Sequence, residues 1–164
     1  MTLATHSIIA AALTKPIAHA HPALLFIMGI ASHYLSDAIP HWDYTILSVE
    51  NKEQSDERRI GSNRTLIVKD LIHFGADTTI GFGAALLLIW PETPQELLWT
   101  IIAPFGGMLP DYLQGIYAIK KFSFLKPVQK FHDIMHTKIL LGAYPMIGIP
   151  FQLILFIAAA LYLY

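Results

Sequence analysis

Residues 139–164 contain no charged side chain, and other stretches come close: 16–36 has none, 71–90 has Asp77 alone, and 97–119 has Asp111 alone. Crossing a bilayer takes about 20 predominantly apolar residues in a helix. A chain written this way is expected to be all-α, a polytopic membrane bundle of about five apolar helices forming a single domain over 1–164. Composition agrees, with 54% hydrophobic and 14% charged residues, where soluble domains carry about a quarter charged.

The first segment, 1–14, is uncharged but short for a span, so it is expected to be tilted, partly inserted, or continued by Ile17-Ala18. It has no basic start and carries His6, which sets it apart from a signal peptide. Pro145 and Pro150 predict a late start or a kink in the last helix. Lys126-Pro127 predicts the start of a short interfacial helix before it. The segment 49–65 is polar and of mixed charge and reads as a solvated cytoplasmic loop.

Basic residues give an orientation. Lys52, Arg58, Arg59, Arg64 and Lys69 fall in one connection, and Lys120, Lys121, Lys126, Lys130 and Lys138 in another. The turn 91–96 has Glu92 and Glu96 and no basic residue. With five spans both basic loops share a side, so the positive-inside rule predicts a cytoplasmic N-terminus and an external C-terminus in a bacterial or archaeal plasma membrane. A net charge of −1 gives no support to nucleic-acid binding.

Histidines and aspartates are costly in so apolar a chain unless they are paired or bind something. Here they recur at helical spacing: His33, Asp37 and His41; His73 and Asp77; His132 and His136. Residues four apart share a helical face. Pro40 is expected to end its helix and leave His41 and Asp43 at the cap, where Trp42 and Tyr44 also suit a membrane-interface belt. Asp70 lies on the face of His73 and Asp77, as a group that orients a histidine. Two glycines and Pro110 precede Asp111 and can aim it into a cavity. In the predicted topology His6 and all these residues fall at the inner membrane face, whereas His19 and His21 fall at the outer face and are excluded.

The expected ligands are therefore His6, His33, Asp37, His41, His73, Asp77, Asp111, His132 and His136, with Asp43 or Asp133 as general base or as a partner that orients a ligand. There is no cysteine, so the ion takes nitrogen and oxygen ligands, which suits zinc best, with manganese or iron as alternatives. So many ligands exceed what one ion needs and imply two or three. Closely spaced ions stabilise the attacking and leaving oxygens of a phosphoryl displacement. A membrane site makes a phospholipid head group or similar phosphoester the natural substrate and the bilayer the natural partner. The same residues also suit a small metal or proton transporter, or a structural metal staple.

The blocks T-H-x-x-I-A-A at Thr5–Ala11, S-H-Y-L-S-D-A-I-P-H-W-D at Ser32–Asp43 and G-G-M-L-P-D at Gly106–Asp111 resemble the predicted membrane-bound metal-dependent hydrolases of the SOS-regulated inner-membrane type. That family is distantly similar to zinc-dependent phospholipase C and S1/P1 nucleases, all-helical enzymes with three zinc ions. The resemblance implies a trinuclear cage drawing on His33/Asp37, His73/Asp77 and His132/His136. Two departures stand out: Pro110-Asp111 is followed by Tyr-Leu-Gln where the family often has x-D-H, and Thr2 stands where the soluble enzymes have Trp, so an N-terminal amine is not an expected ligand.

Overall fold

A computed structural model describes residues 1–50, 58–139 and 141–164. Among them the chain is all-helical apart from one two-stranded ladder. The helices are α1 (Leu3–Thr14), α2 (Pro22–Asp37), α3 (Arg64–Ile89), α4 (Pro94–Lys120), α5 (Lys126–Met135) and α6 (Pro145–Leu163). Strands β1 (Val49–Glu50) and β2 (Arg59–Ile60) pair antiparallel, Val49 opposite Ile60 and Glu50 opposite Arg59. Part of the expected polar loop 49–65, residues 51–57 with Lys52, lies outside the described residues.

The helix ends follow local chemistry. Thr93 and Glu96 form a reciprocal capping box ahead of α4, with Pro94 in the first turn. Asn63 caps α3 by accepting from Thr65 and Leu66. His21 caps α2, its Nδ1 accepting from the Ala23 N–H at 3.2 Å, so one of the two histidines set aside from the metal has a structural task. The last helix starts at Pro145, late in its apolar run, as its prolines predict.

The first apolar segment is short, as expected, and is continued by a 3-10 turn at Lys15–Ile17. Its 12-residue helix is about 18 Å long at 1.5 Å per residue and lies in the centre of the bundle. Leu3, Ile8, Ala10 and Ala11 are buried, and α1 touches α2, α3, α4 and α6. Small side chains permit this. On α4, Gly107 faces Ala10, where an added Cβ would lie 2.6 Å from the alanine Cβ. The α2–α4 crossing is tighter still: a Cβ on Gly29 would sit 2.5 Å from the Ala103 carbonyl, and one on Gly106 2.6 Å from that of Phe26. The two backbones can meet only where side chains are absent.

Helices α1 and α6 run parallel. Gln152 reaches Thr2 and Thr5 at one end. At the other, Lys15 Nζ donates to the carbonyls of Tyr162 at 2.8 Å and Leu163 at 2.9 Å. Lys15 thus caps the C-terminus of α6, where a cation is favoured by orphan carbonyls and the helix dipole.

Two described helices, α3 and α6, are long and apolar enough to cross a membrane, rather than about five. The helices α1 and α2, with 12 and 16 residues, are too short for that length. Only 11% and 17% of the most apolar windows of α3 and α6 are buried, so these are not core helices; Leu71, Leu87, Ile154 and Leu161 all point outward. The short α5 is present before α6 as predicted, with His132 buried and Phe131 and Ile134 exposed on its other side.

Candidate metal centre

The helix positions bring most of the expected ligands around one carboxylate, Asp37. It is the last residue of α2 and its side chain is 1% exposed. Its Oδ2 lies 3.1 Å from both His33 Nε2 and His132 Nε2. Its Oδ1 lies 3.1 Å from His6 Nε2 and 3.6 Å from His41 Nε2. Asp111 closes one side, with its oxygens 3.7–3.8 Å from the Nε2 atoms of His6, His33 and His132. Asp43 Oδ2 lies 3.2 Å from His41 Nε2 and 3.6 Å from His136 Nε2. Two groups can hold a metal ion: His33, Asp37, Asp111 and His132; and Asp37, His41 and His136. They share Asp37.

Proton bookkeeping explains the convergence. His33 Nδ1 donates to the Gly107 carbonyl at 2.8 Å, His41 Nδ1 to Ile39 at 2.7 Å, and His136 Nδ1 to Thr137 at 3.0 Å. A carbonyl only accepts, so each Nδ1 holds the hydrogen. The Ser36 hydroxyl gives its proton to the His33 carbonyl at 2.9 Å, so it accepts from His6 Nδ1 at 3.0 Å. The outer hydrogen bonds thus fix the orientation of four rings and turn their Nε2 atoms inward. Gln114 holds the fifth ring, its amide nitrogen 2.7 Å from both nitrogens of His132.

Bare lone pairs cannot crowd a carboxylate without a cation or protons between them. The Nε2 atoms of His33 and His132 lie 3.0 Å apart, and His6 Nε2 and Asp37 Oδ2 are buried without a hydrogen-bond partner. Ligand atoms around a tetrahedral ion with bonds of about 2.0–2.1 Å sit roughly 3.3 Å apart. The separations of 3.0–3.8 Å bracket that value, so the residues fit the group.

Local sequence sets up each ligand. Gly29 and Gly106 let α2 and α4 close, which carries His33, one turn further along α2, to the Gly107 carbonyl. Pro110 has no N–H for the carbonyl four residues back, so the α4 ladder is interrupted where it meets the centre. The Thr137 N–H donates to the Asp37 carbonyl at 2.7 Å, tying the end of α5 to the end of α2. The Met1 nitrogen, outside the expected ligand set, lies 3.3 Å from Asp37 Oδ1 and also contacts Asp43.

Three expected residues are not brought in. His73 is exposed and meets the Tyr44 ring edge-on at 6.4 Å. Asp133 points off the His132 face and accepts from Gln129 at 3.0 Å. Asp77 instead accepts the N–H groups of Leu3 at 2.7 Å and Ala4 at 3.1 Å. These are orphan first-turn donors of α1, whose own N-cap, Thr2, makes no side-chain cap bond. A carboxylate from another helix supplies the cap. Asp70 likewise takes the N–H groups of Leu47 and Ser48. Replacing Asp77 by Ala is expected to cost about 1–2 kcal/mol, as losing an N-cap does, and to leave metal content unchanged; chemical denaturation and metal analysis of the same sample check both halves.

Electrostatics at the rim favour cation capture. Burial opposes ionisation of Asp43, but the Met1 nitrogen, His136 and His41 outweigh it and hold the carboxyl well below the usual range. Burial pushes His136 down, yet the Asp43 hydrogen bond and the Thr137 carbonyl reverse this and raise it above its ordinary 6.5. His136 therefore keeps a proton to higher pH than a free histidine, and an incoming ion has to displace it. Metal affinity should rise with pH through the neutral range and binding should release protons. Calorimetry in buffers of different ionisation enthalpy reads the proton count; an affinity flat between pH 6 and 8 contradicts it.

Ser36 and Gln114 escape a search for ligands because they lie behind the rings, bonded to His6 and His132. Ser36 leaves a trace, three residues after His33 and so on its face, and Gly107 is one of the two glycines that precede Asp111. No family model matches the chain, and no curated protein or solved structure is significantly similar to it.

Proposed function

We propose that this chain is an integral membrane hydrolase of phosphoesters, with two zinc-type ions bridged by Asp37 at the cytoplasmic face. The observation that carries the proposal is the convergence of four histidine Nε2 atoms on the two oxygens of one buried carboxylate. His33, His132 and Asp111 would hold one ion, and His41 and His136 the other, with His6 bearing on Asp37 and Asp111. When bound, paired ions polarise a phosphoryl oxygen, activate water and stabilise the attacking and leaving oxygens.

The protein's own groups divide the remaining work. Outer hydrogen bonds fix the rings. Asp111 and Asp43, with side chains 22% and 42% exposed, mark the open side. Asp43 at the rim is placed to accept a proton from entering water. The three blocks that resemble the membrane-bound metal-dependent hydrolases contribute His6, His33, Asp37, His41, Asp43, Gly107 and Asp111, all now at this centre, which supports kinship with them. The outward apolar faces of α3 and α6 support a bilayer setting, and the basic connections support a cytoplasmic site. An amphiphile such as a phospholipid is the substrate that such a position would meet.

The open side favours catalysis over a structural staple, whose ion would be enclosed. Transport is disfavoured by the packed core of Ile8, Ala11, Leu25 and Ala103 beyond the centre. The test pairs metal analysis of purified protein with a panel of phospholipids and soluble phosphoesters. The expected result is turnover that disappears on chelation and returns with zinc. Full metal occupancy with no turnover of any phosphoester overturns the proposal.

A further inference from the structure

Helix α5 carries different chemistry on its two sides. At 100° per residue, Leu125, Gln129, His132 and His136 fall on one side, where Gln129 and His132 are buried against the bundle. Lys126, Pro127, Lys130, Phe131 and Ile134 share an arc of about 140° on the other, and all five are exposed. The connection ahead of the helix adds Phe122 and Phe124, also exposed, their rings stacked with centroids 5.4 Å apart. Large apolar side chains gathered on one surface mark an interaction site.

Charge and position say what covers it. Between residues 120 and 144 there are five lysines, Lys120, Lys121, Lys126, Lys130 and Lys138, and one acid, Asp133. Gln129 donates to that acid at 3.0 Å. Among the described residues Lys120 and Lys130 make no ion pair, and Lys138 donates to a neutral acceptor, the Asp133 carbonyl, at 2.7 Å. The face is therefore strongly positive and complements an anionic surface. Beyond α5 the chain enters α6 at Pro145, a helix apolar enough to cross a membrane and largely unburied. Tyr144 at that junction is exposed, an aromatic of the kind found at head-group level. A bilayer meets both halves of this chemistry: apolar side chains sink beneath the head groups while lysine stems run along them and leave the ammonium groups at the phosphates. A nucleic acid would engage the lysines and leave Ile134 in water.

We infer that the outer face of α5 docks on a leaflet of anionic phospholipid, with Phe131 and Ile134 among the upper acyl chains and Lys120, Lys130 and Lys138 at the phosphates. One short helix then holds a metal ligand on its inner side and the leaflet on its outer side. The inference goes beyond the hydrolase reading and needs neither a metal ion nor turnover. Each lysine near such a surface contributes about fivefold in affinity, an attraction that salt screens.

The chain has no cysteine, so a single introduced thiol takes a fluorophore at one place. Full-length Ile134→Cys, altered at a 75% exposed position, is labelled and reconstituted with nitroxide-bearing phosphatidylglycerol or nitroxide-bearing phosphatidylcholine, and quenching gives the relative binding constant of the two lipids. Leu87→Cys, 72% exposed on α3, is the comparison. The expected result is a preference of roughly tenfold or more for the anionic lipid at Ile134, unchanged by chelator, and none at Leu87. Raising salt from about 0.05 M to 0.5 M should cut the preference several-fold. Lys120→Gln with Lys130→Gln should lower it by about fivefold or more; Lys138 is kept because it bonds the end of α5. The salt series decides the matter if that double variant does not fold. Equal quenching by the two lipids at Ile134, no quenching by either, the same preference at Leu87, or a preference indifferent to salt overturns the inference. Turnover that fails while the preference persists counts against the hydrolase alone; a missing preference with turnover intact counts against the docking face alone.

Discussion

Asp37→Asn should remove both ions at once. Each carboxylate oxygen serves a different set of rings, Oδ2 facing His33 and His132 and Oδ1 facing His6 and His41. The amide keeps the size of the side chain but loses its charge and turns an N–H₂ donor toward bare nitrogens or a cation. No other described carboxylate is in reach of all four rings, so nothing takes over the bridge. Metal content should fall below a tenth of that of the native protein. The thermal response should vanish with it: a ligand present at about 1,000 times its Kd stabilises by roughly 4 kcal/mol, and the variant should show no zinc-dependent shift. Asp133→Asn, one residue from His132 but bonded to Gln129, should behave like the native chain in both measurements. An Asp37→Asn protein that keeps one tightly held ion means that the carboxylate is not shared.

Gly29→Val should weaken metal binding although Gly29 lies a full helical turn before the first ligand of α2. Even a single Cβ would sit 2.5 Å from the Ala103 carbonyl and 3.2 Å from Gly106 Cα. Both neighbours are backbone, so α2 has to move away from α4. Overpacking of this kind costs about 1–3 kcal/mol. The displacement also pulls His33 Nδ1 from the Gly107 carbonyl, and losing such an orienting hydrogen bond typically reduces metal affinity about 10–100-fold. Gly75 supplies the control, since an added Cβ there meets nothing within 4 Å. Gly75→Ala should be neutral or stabilise by up to roughly 1 kcal/mol and leave metal affinity alone. Zinc titration and thermal melting of the two variants side by side separate the close approach from a general intolerance of helix glycines.

The ligands most legible in the sequence were those whose partners sit on the same helix, whereas His6 and Asp111 were picked out by the membrane side and the local motif. Four-residue spacing ties His33 to Asp37 and His132 to His136, and the structure brings those residues together around Asp37. The spacing of His73 and Asp77 is identical, yet it leads nowhere near the centre. A period along one helix carries no information about what the neighbouring helix lacks, and what α1 lacked was an N-cap for Leu3 and Ala4. The same blindness applies to the first segment. Its alanines and Ser7 suited burial against glycines of α3 and α4 better than contact with lipid chains, but apolarity alone does not separate the two. The division of Asp37 between two sets of rings was also hidden, because it depends on how α1 and α5 meet the end of α2.

Crystals of zinc-loaded protein, measured on both sides of the zinc absorption edge, give the most direct test of the central claim. The account predicts two anomalous peaks flanking the Asp37 carboxylate, one beside His33, His132 and Asp111 and the other beside His41 and His136. The absence of any peak among these residues, or an ion held instead by His73 and Asp77, would contradict it.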